Sequence, residues 1–285
     1  MRGSKKFDQN IRGRFYWLRM KVMIPMLYRK ADEIVTVNKG IARELRNYFG
    51  VKSVGIRCIP NFYNIREIEA LSKEEKSDRE KMLYADPILI ITGRLALEKG
   101  IEGLLNVFNE LKRSRLNLRM VIVGEGPEQL TIERFCKNQN LKFQNGFDFH
   151  RLPDIVLVNF QTNVYKYLKG STLFLMNSAS EGFPNGLVEA MICGVPVLSS
   201  DCPYGPREIF EADTSENFQY PVYTETGVLL PNADSDKNIQ LWKTVIEKLL
   251  VNQSQRETMI SAARLSMKKY DQEIISKQWL SLVEA

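Results

Sequence analysis

Short apolar runs alternate with helical segments along most of this chain. Residues 87–92 and 118–124 are near-continuous apolar runs of strand length, and a segment with apolar residues at helical spacing follows each. The same pattern predicts further strands at 31–37, 55–59, 141–143, 172–176, 195–199 and 227–230. Strands that are apolar on both faces belong to parallel sheets covered by helices on both sides. The sequence therefore predicts an α/β fold with a Rossmann-like parallel sheet.

Two stretches interrupt this alternation. Residues 65–78 are polar and charged, and we interpret them as a linker with one helical turn. Residues 151–160 are interpreted as an insertion. Beyond the last predicted strand, the apolar spacing predicts closing helices at 235–251, 255–268 and 271–283.

The basic residues are concentrated at the start of the chain. The formal net charge is +6, but residues 1–30 hold nine Lys and Arg against one acid, Asp8, which gives this segment a charge of +8. Aromatic and methionine side chains lie between the cations. The segment is therefore predicted to be a basic amphipathic helix that binds an anionic membrane surface or a partner helix, with an ordinary surface helix as the alternative. Nucleic acid is not an expected partner, because no recognised nucleic-acid-binding motif accompanies the charge.

The sequence also bears on location. No apolar run reaches the roughly 20 residues of a spanning helix, and no apolar signal region is present at the N-terminus. The four cysteines have no Cys-x-x-Cys spacing. We expect a cytoplasmic protein with reduced thiols, held peripherally at the inner face of the membrane if residues 1–30 bind lipid.

Two cations occupy the loop after the strand at 87–92. Arg94 follows Gly93, and Lys99 precedes Gly100 at the start of the next helix. Loops at the carboxyl ends of parallel strands form the ligand site in such sheets. Arg can bond phosphate oxygens in a bidentate way, Lys adds a mobile charge, and free N–H groups at a helix start attract anions. This loop is predicted to bind an anionic ligand, although a solvated Lys is the ordinary alternative.

The stretch from Ser180 to Gly194 contains two acids in an unusual setting. Its pattern predicts a tight turn after the strand at 172–176, then a short helix in which Pro184 is the first residue. Glu181 lies in the turn, and Glu189 lies among apolar residues of the helix. A carboxylate in that position needs either a solvated face or a ligand.

Other motifs are weaker. Gly124-Glu-Gly126 has two glycines of a dinucleotide fingerprint, but residue 129 is Gln, so the glycines are assigned to a tight turn. Asp234-Ser-Asp236 has a spacing used for metal–nucleotide sites, yet helix capping explains it better. His150 is the single histidine, so neither a metal site nor a Ser/His/Asp set is expected.

The run Glu181-Gly-Phe-Pro-Asn-Gly-Leu-Val-Glu189 resembles the glutamate-pair signature of family 4 glycosyltransferases. These are retaining enzymes of the two-domain GT-B fold. Segments that agree in order are 93–100, 121–127, 145–147, 194–201, 205–208 and 226–231, and 31–38 and 59–61 resemble the end of the family's first domain. The resemblance covers residues 31–285.

The resemblance implies roles for the matching residues. Arg94 and Lys99 would bind the diphosphate of a nucleotide-sugar donor and stabilise the leaving group, and Glu181 would hold the sugar hydroxyls. Glu189 would bind the ribose. The remaining implied donor contacts are Asn145, Gly146 and Phe147 beside the base, and Gly182, Phe183, Pro184, Asn185, Gly186 and Leu187 near the sugar and phosphates. A UDP-linked donor is expected, with no metal or other cofactor.

The same resemblance divides the chain. Residues 1–60 would be a remnant of the acceptor-side domain, 61–270 the nucleotide-sugar-binding domain, and 271–285 a crossover helix with little to pack against. About 60 residues cannot form an independent Rossmann domain, so the chain is either a fragment or a truncated relative. The acceptor is expected to be a glycan or a lipid-linked glycan, because residues 202–208 look most like bacterial envelope or capsule transferases. The alternatives are a non-catalytic donor-binding module, a chain whose partner supplies the missing half, an interaction protein acting through residues 1–30, and, more distantly, a nucleotide-sugar epimerase.

Overall fold

Most of the chain forms an eight-stranded sheet with helices on both faces. The computed structural model describes residues 18, 22–51, 55–114, 117–212 and 219–284. The strands are β1 Glu33–Thr36, β2 Gly55–Cys58, β3 Ile88–Thr92, β4 Arg119–Val123, β5 Phe143–Asn145, β6 Ile155–Val158, β7 Leu173–Met176, β8 Val197–Ser200, β9 Val222–Tyr223 and β10 Val228–Leu230. The large sheet has the order β5-β6-β4-β3-β7-β8-β10-β9 and is parallel except for the β9–β10 pair. The predicted α/β parallel fold is confirmed.

The helices connect successive strands or close the chain. They are α1 Ile24–Tyr28, α2 Lys39–Asn47, α3 Ile65–Leu71, α4 Asp78–Leu83, α5 Ile101–Lys112, α6 Gln129–Asn138, α7 Tyr165–Leu168, α8 Asn185–Ile192, α9 Pro206–Ile209, α10 Asp236–Val251, α11 Gln253–Met267 and α12 Gln272–Val283. Within the described ranges, no helix is both long and apolar enough to cross a bilayer.

The large sheet separates two hydrophobic cores. Along β3, Ile88 and Ile90 contribute to the core on one face, whereas Leu89 and Ile91 contribute to the core on the other. Successive residues of a strand point to opposite faces, so a strand covered on both sides must be apolar at every position. This requirement explains the continuous apolar runs in the sequence.

The N-terminal segment is a smaller unit. β1 and β2 form a two-stranded parallel sheet, and its own core contains Ile34, Leu45 and Phe49. The Asn38 amide donates to the carbonyl oxygen of Gly182, which ties this unit to the large sheet's loops. Residues 1–17 and 19–21 of the predicted basic helix lie outside the described residues.

Residues 65–78 are more helical than predicted. α3 occupies the first part, and α4 begins at the end of this range. Asn64 caps α3, while Ser77 and Glu80 form a reciprocal capping box at α4. The Ser-x-x-Glu signature was present in the sequence, so the interpretation as a linker is wrong for a recognisable reason.

Residues 151–160 are not an insertion. They contain β6, which is fully buried and pairs with β4 on one side and β5 on the other. The predicted strand at 141–143 instead occupies Phe143–Asn145, at the edge of the sheet. The four consecutive apolar residues of β6 are a buried-strand signal that the preceding charged residues obscured.

The closing helix α12 packs against residues 59–64, the linker between β2 and α3. Tyr63 donates its backbone N–H to Tyr270 and accepts from the N–H of Gln272, both at 2.9 Å. Ile275 is buried, although Trp279 and Leu280 remain exposed. The expectation that this helix has little to pack against is therefore wrong for its first turn. The division into residues 1–60, 61–270 and 271–285 remains a prediction.

Candidate functional site

A cavity of about 650 Å³ opens at the carboxyl ends of β3, β4 and β7. Arg94, Lys99, Glu181 and Glu189 all line it. The loops that carry these residues are separated by more than 80 positions in the sequence, and they meet because parallel strands place their carboxyl ends at one edge. The tertiary structure thus brings the four charged residues predicted from the sequence to one site.

Close backbone contacts shape the floor of this cavity. A Cβ added to Gly124 would lie 1.9 Å from the carbonyl oxygen of Gly93, and Gly124 has a φ of 149°. Only glycine permits both this conformation and this approach. Gly126 is under the same constraint, because its Cβ would lie 2.2 Å from the carbonyl oxygen of Leu95. The two glycines therefore allow the loop after β4 to pass close to the loop after β3.

The start of α8 is also held close to the sheet. A Cβ on Gly186 would lie 2.8 Å from the Thr92 hydroxyl oxygen, so a glycine allows the helix to begin against the end of β3. The helix begins at Asn185, one residue later than predicted, and Pro184 is its cap residue. The free N–H groups of this helix start lie at the cavity wall, where an anion is favoured.

Lys99 and Glu181 form an ion pair inside the cavity. The Lys99 ammonium lies 2.6 Å from Glu181 Oε1, and the Ser178 hydroxyl donates to the same oxygen at 2.7 Å. Arg94 pairs with Glu98 on its own loop. Lys99 keeps two further N–H donors, and Glu181 keeps its second oxygen, so both side chains still have capacity for a ligand.

Glu189 differs from the other acids of the site. Within the described residues, no hydrogen bond or ion pair reaches its carboxylate, and Glu189 lines both this cavity and a neighbouring one. Burial raises the pKa of Glu189 to about 7 from the ordinary value of 4.5. A carboxylate that is desolvated and has no protein partner is suited to accept hydrogen bonds from a ligand.

Some predicted site residues do not reach the cavity. Leu187 is fully buried in the core beneath α8, and Gly182 contributes its carbonyl oxygen to Asn38 instead. Phe183, Pro184, Asn185 and Gly186 do line the cavity.

The loop at Asn145, Gly146 and Phe147 is also absent from the cavity lining. Phe147 stacks on Tyr167 with ring centroids 5.7 Å apart and an interplanar angle of 3°. The loop follows the edge strand β5, one strand farther from the site than β6. Its prediction as a site element is therefore not supported by its position.

The loop after β6 lines the cavity in its place. Phe160, Gln161 and Thr162 lie there, and the backbone N–H of Phe160 donates to Glu125 at 3.1 Å. Sequence reasoning missed these residues because β6 was interpreted as part of an insertion. The apolar run of β6, followed directly by polar residues, was the signal that could have found them.

The Asp-x-Asp motif lies elsewhere. Ser235 accepts a hydrogen bond from the backbone N–H of Asn238 and thereby caps α10, and Asp236 lies in the first turn of that helix. In the part of the chain that the structure describes, no three His, Cys, Asp or Glu side chains are grouped so that they could hold a metal ion.

The family profile described as Glycosyl transferases group 1 matches residues 72–266, which include all four charged residues of the cavity. This chain belongs to the family of group 1 glycosyltransferases. The mostly parallel sheet flanked by helices agrees with solved glycosyltransferase structures of the GT-B fold.

Relatives of this group 1 glycosyltransferase include proteins from archaea and bacteria. An uncharacterised glycosyltransferase of Methanocaldococcus jannaschii is 27% identical over 277 residues, which are 90% of this chain and 64% of the relative. The Campylobacter jejuni N-acetylgalactosamine-N,N'-diacetylbacillosaminyl-diphospho-undecaprenol 4-alpha-N-acetylgalactosaminyltransferase is 26% identical over 260 residues, 91% of this chain and 62% of that enzyme. The chain thus spans somewhat less than two thirds of the length of these relatives.

Solved structures agree on the fold. A point mutant of S. aureus TarM, in complex with fondaparinux, alpha-GlcNAc-glycerol and UDP, superposes with a TM-score of 0.73 at 22% identity, over 100% of this chain and 50% of TarM. Anabaena HepE in complex with UDP-glucose has a TM-score of 0.71 at 17% identity, over 92% of this chain and 66% of HepE.

Proposed function

We propose that this group 1 glycosyltransferase moves a hexosyl group from a UDP-sugar to a glycan or lipid-linked acceptor, with retention of anomeric configuration and without a metal ion. The observation that carries the proposal is the convergence of Arg94, Lys99, Glu181 and Glu189 on one cavity at the carboxyl ends of the parallel strands. Cations for a diphosphate and carboxylates for hydroxyls are the groups that a nucleotide sugar requires.

The charges can be matched to one donor molecule. Lys99 and Arg94 would contact the diphosphate, together with the N–H groups at the start of α8. Glu181, held by Lys99 and Ser178, would offer its second oxygen to the sugar hydroxyls. Glu189, on α8, would accept hydrogen bonds from the ribose hydroxyls.

The base is proposed to lie against the loop after β6. Phe160 lines the cavity and is 68% exposed, which leaves its ring face available for stacking. This loop takes the role that the sequence resemblance implied for Asn145, Gly146 and Phe147. The neighbouring Gln161 and Thr162 can supply hydrogen bonds to the base edge.

The proposed chemistry needs no protein nucleophile. The bond between the anomeric carbon and the phosphate oxygen breaks, and the acceptor oxygen forms a bond to the same carbon on the same face. The acceptor proton passes to an oxygen of the leaving phosphate. Arg94 and Lys99 would stabilise the negative charge that grows on the departing diphosphate, which is the role a divalent cation has in other transferases.

Known proteins support the class of donor and acceptor. TarM and the pneumococcal GtfA are described in complex with UDP, and HepE with UDP-glucose. The Campylobacter jejuni relative is named for a lipid-linked acceptor.

If the acceptor of this chain is also carried by a lipid, the +8 segment at residues 1–30 would hold the chain at an anionic membrane. Sedimentation with phosphatidylglycerol vesicles, absent with phosphatidylcholine vesicles, tests that part.

The second candidate is a donor-binding module whose acceptor side comes from additional polypeptide. The small parallel sheet of β1 and β2 favours it, because two strands rarely suffice for an independent sheet. Phe62 and Trp279 are exposed and line a cavity together with Val35 of β1, and such polypeptide would cover them. Release of free sugar from UDP-glucose by the chain alone would support catalysis without it. Donor binding without any turnover would favour the module.

Titration calorimetry with UDP, ADP, GDP and UDP-glucose, each with and without EDTA, tests donor binding. We expect UDP and UDP-glucose to bind, and EDTA to have no effect. Lys99→Ala and Glu189→Ala should weaken binding by about tenfold or more, since each removes a charged hydrogen-bond partner of about 1.5–3 kcal/mol.

Lys277→Ala and Glu257→Ala are matched controls on exposed helix surfaces, and they should leave affinity unchanged. Unchanged affinity in the Lys99 and Glu189 variants would refute the assignment of the cavity. Loss of binding in EDTA that Mg²⁺ restores would refute metal independence.

A further inference from the structure

Asn185 occupies the wall between two cavities. It is the first residue of α8 and lines both the donor cavity and a second cavity of about 630 Å³. The second cavity lies against the linker after β2 and the closing helix α12, with Asn61, Tyr63 and Trp279 in its wall. Glu189 is shared by the two cavities as well. Asn185 is therefore placed to connect the linker with the donor cavity.

Two hydrogen bonds from the linker fix the side-chain amide of Asn185. The Asn61 amide donates to Asn185 Oδ1 at 2.8 Å, and the Tyr63 hydroxyl donates to the same oxygen at 2.6 Å. Because both donors hold Oδ1, Nδ2 must point to the other side. Among the described residues, no acceptor is bonded to Asn185 Nδ2, so its N–H groups are available to a ligand.

The Tyr63 donor is rigidly placed. Tyr63 is buried, and its backbone N–H and carbonyl are bonded to Tyr270 and Gln272 on either side of the start of α12. Its hydroxyl therefore has little freedom to follow Asn185 if the amide turns. The linker acts as a fixed clamp on the first residue of α8.

Asn185 and Glu189 lie one turn apart on α8, so their side chains share a face of the helix. Asn185 offers N–H donors, and Glu189 offers a carboxylate acceptor with no protein partner among the described residues. A vicinal diol presents the complementary pair, since one hydroxyl can accept while the other donates.

We propose that Tyr63 and Asn61 are positioning residues that hold the Asn185 amide beside Glu189, so that the two side chains together recognise the vicinal hydroxyls of the nucleotide ribose. This inference rests on the proposed function, which places a nucleotide in the cavity. It adds that Tyr63 and Asn61, which do not line the donor cavity, control how well the site distinguishes ribose from deoxyribose.

Calorimetric titration with UDP, 2′-deoxy-UDP and 3′-deoxy-UDP tests the proposal. Tyr63→Phe removes one clamping donor without changing side-chain shape, and UDP affinity should fall about 3- to 10-fold. For at least one of the two deoxynucleotides, the same substitution should change affinity by less than about twofold, because the hydroxyl that Asn185 contacts is absent.

A double-mutant cycle separates positioning from a general structural effect. In an Asn185→Ala background, Tyr63→Phe should produce no further loss of UDP affinity. Tyr84→Phe is the matched control, because its hydroxyl donates to a backbone carbonyl at 2.6 Å and the residue lines neither cavity. Urea unfolding of each variant establishes that the protein remains folded at the titration temperature.

The outcomes are distinguishable. If wild-type protein does not bind UDP, the proposed function fails and this inference fails with it. If wild-type protein binds UDP, the inference alone is overturned when Tyr63→Phe has no effect. The same holds when the loss is equal for all three nucleotides or when it persists in the Asn185→Ala background.

Discussion

Replacing Glu189 by Gln should remove a pH dependence of stability. Burial raises the pKa of Glu189 to about 7 from 4.5, so the folded protein binds a proton that the unfolded chain has already released over this interval. The contribution of the Glu189 carboxyl to the free energy of unfolding is fully present below about pH 4.5 and is lost as pH rises to about 7. Above that pH the carboxyl is ionised in both states, and the penalty is constant.

The size of the effect follows from the same two values. The difference between about 7 and 4.5 corresponds to about 3 kcal/mol at about 1.4 kcal/mol per pH unit. Because Glu189 borders two open cavities, this value is an upper bound, and a difference of about 2 kcal/mol is expected. Gln has nearly the same shape and no charge, so the variant should gain this amount relative to wild type between pH 5 and pH 8.

Urea denaturation at pH 5, 6, 7 and 8 measures the difference directly. Glu257→Gln, on the exposed surface of α11, is the control for the change in net charge, and its difference from wild type should stay constant. If the difference in the free energy of unfolding between Glu189→Gln and wild type does not change over this pH range, the argument that desolvation raises the pKa of Glu189 is refuted. UDP-glucose should bind the wild type more tightly at pH 8 than at pH 6, and this trend should be absent in the variant.

Three further substitutions probe the scaffold and the base site. Gly124→Ala would place a Cβ 1.9 Å from a backbone oxygen, so little folded protein is expected in circular dichroism. Arg207→Ala leaves the Asp201 carboxylate, 2% exposed, without its guanidinium partner, and urea unfolding should show a loss of about 3–5 kcal/mol; a loss under 1 kcal/mol would contradict the burial argument. Phe160→Ala should weaken UDP binding by about 1–2 kcal/mol, whereas Phe147→Ala should leave it unchanged in the same titration; the reverse result would restore the loop after β5 to the site.

Much of the site could be predicted because its residues follow strong strand signals. Arg94 and Lys99 follow the apolar run of β3, and Glu181 and Glu189 follow that of β7. β6 was harder to predict, because a short apolar run after charged and proline residues does not distinguish a strand of the sheet from an inserted loop. The base contact that the resemblance implies, Phe147, follows the edge strand β5 and does not line the cavity, so the proposal places the base against Phe160 instead.

The sequence by itself determined the α/β class, the parallel sheet and the set of charged loop residues, because hydrophobic periodicity and turn chemistry are local properties of the chain. Only the tertiary structure decided which strand lies beside which. It therefore decided that Phe160 lines the cavity, that Lys99 pairs with Glu181, and that Asn185 is clamped by a linker more than 120 residues earlier. These contacts depend on strand order and on close backbone approaches between distant segments, and neither is encoded in the spacing of neighbouring residues.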